Sequence, residues 1–167
     1  MIAIGMAESI DRLMKMQSVL DRRIIVGRGL EGQDLIPMRV LALRVEIAEL
    51  AQEASDAWKF WKSPAPRDYK KVLEELSDVL HFLLSIGAAI GVDPYEMPYK
   101  IYRKKNLIEQ LDDMFNVARI CYVPLQWHWA MSVYLGLCDI LGFTWEDIED
   151  AYLTKNKVNL ARQEQGY

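Results

Sequence analysis

Residues 39–62 read RVLALRVEIAELAQEASDAWKFWK, and the placement of charge within them decides the fold. At about 100° per residue, Glu46, Glu49, Glu53 and Asp56 fall within roughly 80° of a helical wheel. Leu41, Leu43, Val45, Ile47, Ala48, Leu50, Ala51 and Ala54 fill most of the remainder. A helix apolar around so much of its circumference is expected to be buried against several neighbours, with its carboxylates partly enclosed. Residues 69–92, YKKVLEELSDVLHFLLSIGAAIGV, repeat the arrangement, with Glu75 and Asp78 on one edge of an apolar body. A break at Pro64 and Pro66 separates the two segments. If they form an antiparallel hairpin, Glu46-Ile-Ala-Glu49 faces Glu75-Leu-Ser-Asp78.

Four carboxylates converging in a low-dielectric groove repel one another and are costly to desolvate unless a divalent cation neutralises them. All-oxygen ligation selects a hard ion, which points to Mg²⁺, with Mn²⁺ as a substitute. A di-iron bundle is the competing metal reading. It requires a Glu-x-x-His pair on each of two helices, and only Asp78-Val-Leu-His81 approaches that pattern. The simpler alternative is that each strip is the solvated edge of an amphipathic helix.

Outward from these segments the pattern stays helical. Glu8 to Ile25 reads as one helix with a glycine-rich exit at 27–34, Pro37 opens the first acidic helix, and that helix runs to about Lys62. Arg67 to Ile90 forms the second, Asn106 to Ile120 another, Pro124 to Gly142 another, and Thr144 caps the last, Trp145 to about Gln165. No segment alternates as a strand does, so the expectation is an all-α helical bundle forming a single domain over residues 1–167. The net charge of −4 argues against a general nucleic-acid binder, which needs a basic face. The longest uncharged apolar stretch is too short to span a bilayer and no signal peptide opens the chain, so a cytoplasmic address without membrane partners is expected. Cys121 and Cys138 read as small core residues.

Further residues offer chemistry. Trp58-Lys-Phe-Trp-Lys62 could stack on a base and meet phosphates, or could pack in the core. His81, three residues beyond Asp78, could reach a substrate or serve as a hydrogen-bonded core residue. Trp127, His128 and Trp129 lie in a segment apolar enough to suggest a buried subunit interface drawing on 106–142, with Tyr134 and Leu137 beside them. Lys155, Asn159 and Arg162 share a helix face with Gln163, where Asn offers donor and acceptor to a base edge and the cations serve phosphate oxygens.

Taken together these residues resemble the dimeric all-α dUTPases, a branch of the MazG-like nucleotide pyrophosphatases. The paired Glu-x-x-Glu and Glu-x-x-Asp marks the wider superfamily. The stretches Met16 to Asp21, Trp58 to Lys62, and Lys155 through Arg162 to Gly166-Tyr167 resemble the dUTPase branch. The resemblance implies a Mg²⁺-dependent homodimer that hydrolyses dUTP, and dUDP as well, to dUMP. It implies that Glu46, Glu49, Glu75 and Asp78 hold the metal, with Glu49 activating water, and that Gln17 and Asn159 contact uracil or sugar. Lys59, Lys155 and Arg162 would grip phosphates, and Trp61, or Trp58 in its place, would stack on the nucleotide. Two rivals share these features: a pyrophosphatase for another nucleotide, and a non-catalytic helical interaction protein.

Overall fold

The computed structural model describes residues 2–166, with side chains from Gly5 onward, so Tyr167 lies outside the described residues. It comprises α1 (Ile2–Arg28), α2 (Ile36–Glu53), a short 3₁₀ turn (Ser55–Ala57), α3 (Tyr69–Ala89), α4 (Leu107–Ala118), α5 (Pro124–Ile140) and α6 (Trp145–Glu164). The described residues contain no strand, so the fold is all-α. None of these helices is long and apolar enough to cross a membrane.

Local chemistry sets most boundaries. The Asp68 carboxylate accepts from the backbone N–H of Lys70 and Lys71 at 3.1 and 3.3 Å and starts α3. Asn106 accepts from Glu109 N–H at 2.9 Å at the head of α4. Thr144 and Asp147 cap α6 reciprocally. Each cap satisfies a backbone donor that would otherwise be orphaned, worth about 1 kcal/mol. Pro37 and Pro124 sit in the first turns of α2 and α5, where their missing N–H costs nothing.

α3 is the hub. It packs against α2, α1, α6 and α5, while α4 joins the bundle through α5 and α2. Two glycines permit the close approaches around α5. A Cβ on Gly87 would sit 2.6 Å from the Trp127 indole, and one on Gly136 would sit 1.8 Å from the Tyr102 carbonyl oxygen.

Three expectations need correction. The first acidic helix ends at Glu53 instead of Lys62. Ala54 leaves helical geometry, the Trp58 indole N–H folds back to the Ala51 carbonyl at 2.8 Å, and Arg67 holds Asp56 at 2.6 Å, so tertiary contacts override the continuing helical pattern. The same helix is not buried all round: Met38, Leu41 and Val45 are 65%, 60% and 45% exposed. Conversely, Trp127, Tyr134 and Leu137 are fully buried within the chain's own core. The Trp127 indole donates to the Leu83 carbonyl at 2.7 Å and the Tyr134 hydroxyl to the Leu76 carbonyl at 2.8 Å, so both polar tips are satisfied inside α3. Only Trp129 of that group remains substantially exposed.

Candidate functional site

The three-residue spacing within each acidic strip places two carboxylates on one side of a helix, and the packing of α2 on α3 brings the strips together. Glu46, Glu75 and Asp78 each present an oxygen within 4.8 Å of the others. All three are half-buried. Glu75 Oε2 is buried without a hydrogen-bond partner. Burial, followed by the charges of Asp78, Glu49 and Glu75, pushes the Glu46 carboxyl up to about 7. Burial also raises Glu75 and Asp78 above the usual carboxylate range, opposed at Asp78 by Lys155. Glu49 lies outside the three-carboxylate group, exposed, and its charge acts on all three members.

An orphaned carboxylate oxygen and an all-oxygen donor set whose carboxyls are harder to ionise than usual fit a hard divalent cation, which would stabilise the ionised form. The described residues supply one counter-charge of their own. Lys155 Nζ, reaching in from α6, donates to Asp78 Oδ2 at 2.7 Å. Lys155 also lines a cleft of about 550 Å³ between α3 and α6, together with Lys70, Glu74, Ser77, Thr154 and Arg162.

Gln17 stands deeper, in a buried polar network. Its Oε1 lies 2.7 Å from His81 Nδ1 and 2.9 Å from the Tyr152 hydroxyl, and its Nε2 donates to Asp21 Oδ1 at 2.8 Å. The His81 ring stacks on Tyr152 with centroids 4.2 Å apart. Asn156 donates to the Tyr152 hydroxyl at 3.3 Å. Burial lowers the His81 imidazole to about 3, with the Lys155 charge adding to the effect.

Three further sequence-predicted residues lie in the loop after α2 and on α6. Lys59 Nζ donates to Gln52 at 2.6 Å and lies 5.0 Å over the Trp58 ring. Trp61 is exposed in the loop after α2, edge-on to Trp58 at 5.6 Å. Asn159 is half-buried one turn beyond Lys155. Tyr152, Asn156 and Asp21 belong to the site's interior and were not singled out from the sequence. Ile148, Tyr152 and Asn156 recur every four residues as the buried face of α6, a signal that could have found two of them.

A family model described as dUTPase matches residues 9–167 of this chain. No curated protein matches it.

Proposed function

Because the chain belongs to the dUTPase family and is a dUTP diphosphatase, we propose that it hydrolyses dUTP, and dUDP as well, to dUMP where α2, α3 and α6 meet, with Mg²⁺ as cofactor and Mn²⁺ as a substitute. The observation that carries this reading is the convergence of Glu46, Glu75 and Asp78 from two helices, with one oxygen left unpartnered. These three and Glu49 would hold the ion, which when bound offsets phosphate charge and makes a water more acidic. Glu49 takes the proton of the attacking water, a role suited to its open position. Lys155 leaves Asp78 for a phosphate oxygen, and Arg162, on the same cleft, binds another. Lys59 supports the phosphates from the loop after α2. Asn159 and Gln17 read the uracil and sugar, with Trp61 as a stacking face. The substrate is a free nucleotide, so the reading needs neither nucleic acid nor membrane and suits a cytoplasmic enzyme.

The test is pyrophosphate release with Mg²⁺, compared across dUTP, dTTP, dCTP and UTP, with dUTP the preferred substrate. Asn159→Ala is expected to lower kcat/KM for dUTP by about 10²-fold and for dCTP by much less, since an unpaired polar group discriminates strongly. Arg162→Ala should weaken all nucleotides alike. Preferred hydrolysis of another triphosphate would move the enzyme to a sister activity, and equal losses across bases would remove Asn159 from base recognition.

We also propose a homodimer, with its interface moved from α5 to α2. Met38, Leu41, Val45 and Ala48 follow helical spacing along one exposed face, and Ala48 shares a groove with Ile108 of α4, itself 53% exposed. A continuous apolar stripe of this kind suits self-complementary association about a two-fold axis. Light scattering should give twice the chain mass for the wild type and a single chain mass for Leu41→Glu. A monomeric wild type at micromolar concentration would end this idea.

A further inference from the structure

We propose that Asp21 is a positioning residue: through the amide of Gln17 it holds His81 as the Nδ1–H tautomer, leaving the Nε2 lone pair as a buried acceptor one helical turn from Asp78. Arg39 and Ser85 both lie against one oxygen of the Asp21 carboxylate. The Arg39 guanidinium, which can only donate, lies 3.5 Å from Asp21 Oδ2, and the Ser85 hydroxyl donates to the same oxygen at 2.5 Å. The other oxygen, Oδ1, faces Gln17 Nε2 at 2.8 Å. A carboxylate only accepts, so the Gln17 amide has a single orientation there. Its NH₂ meets Asp21 and its Oε1 meets His81 Nδ1 and the Tyr152 hydroxyl.

A carbonyl oxygen opposite Nδ1 at 2.7 Å requires the proton to be on Nδ1. The neutral ring carries one proton, so Nε2 is bare. That nitrogen is buried and has no partner among the described residues. His81 is 5% exposed and its ring is stacked on Tyr152. Burial also holds the imidazole far below neutrality, at about 3, so a second proton does not arrive at working pH. A buried acceptor without a partner is costly. An O–H or N–H donor on a bound nucleotide would satisfy it, a consequence that rests on the dUTPase reading.

The tautomer itself can be read without nucleotide, so its failure and that of the dUTPase reading are distinguishable. The chain has 2 histidines, His81 and His128, so ring-nitrogen spectra of ¹⁵N-histidine-labelled protein contain two sets of signals, and His128→Gln assigns them. Wild-type His81 is expected to show a protonated Nδ1 and a bare Nε2. In Asp21→Asn, the donors Arg39 and Ser85 keep the side-chain oxygen, so the new NH₂ faces Gln17. Gln17 then turns over and presents its own NH₂ to His81, moving the ring proton to Nε2. A majority Nε2–H population is expected, together with a rise of about tenfold in KM for dUTP and a smaller change in kcat, as for one lost hydrogen bond.

Whether the donor is the sugar 3′-hydroxyl or a base N–H is decided by dideoxy-UTP. The KM penalty disappears with that analogue in the first case and persists in the second. Ser85→Ala keeps the Gln17–Asp21 bond and must keep the Nδ1–H form. A wild-type Nε2–H ring, an unchanged tautomer in Asp21→Asn, or a switch in Ser85→Ala would each overturn the proposal, and the wild-type spectrum decides even if a variant fails to fold.

Discussion

Replacing Glu49 with glutamine is expected to lower kcat for dUTP by about 10³-fold, within the range that a positioned general base contributes. The change keeps size and shape while removing the proton-accepting carboxylate and, with it, one negative charge beside the proposed ion. Glu49 is exposed on α2, so the substitution disturbs no packing. Its negative charge helps to raise Glu46, Glu75 and Asp78. Removing it relieves repulsion in the metal-free cluster, so the melting temperature should be unchanged or slightly higher. Loss of activity with retained stability is the outcome of a group selected for chemistry at some expense to the fold. A fully active Glu49→Gln variant in a clean preparation would take the base role away from this residue.

Chelation of the metal is expected to abolish hydrolysis, and the accompanying change in stability should depend on pH. Glu46 is raised from 4.5 to about 7 in the folded chain, first by burial and then by neighbouring carboxylates. Between those values the folded state binds more protons than the unfolded one. Metal-free stability therefore falls as pH rises from about 4.5 to 7, the sense given by proton linkage. The cluster is only half-buried, so solvent screening limits the loss to about 1 kcal/mol for this group. Mg²⁺ held by these carboxylates would require them ionised and would displace those protons. Added Mg²⁺ should thus raise Tm several degrees more at pH 8 than at pH 5.5. Equal shifts at both values, or activity that survives exhaustive chelation, would remove the acidic cluster as the metal site.

The helices were legible because their signals are local. Pro37, Pro124, Asn106 and Thr144 act within a turn of themselves, and the boundaries they set agree with the structure to within a residue or two. The end of α2 was not legible, because Glu53 and Asp56 keep helical spacing with Glu46 while the contacts that stop the helix come from the Trp58 ring and from Arg67. Apolar composition likewise predicted burial for Trp127 and Tyr134 but not whether a second chain or α3 would cover them. In the site, the acidic strips could be read because each is a short-range pattern. The polar network behind them could not, since Gln17 meets His81 across 64 residues and Tyr152 across 135.

That last separation bears on how the protein is made. Gln17 emerges from the ribosome early, yet its partner Tyr152 follows 135 residues later. At about 5–20 residues per second, the interval is roughly 7 to 27 s. Once α3 has followed, α1 can pair with it but not yet with α6, and Asp78 lacks Lys155 until a further 77 residues have been made. The cleft therefore assembles only once α6 has been translated, and a nascent chain that stalls before it carries the acidic helices without the catalyst.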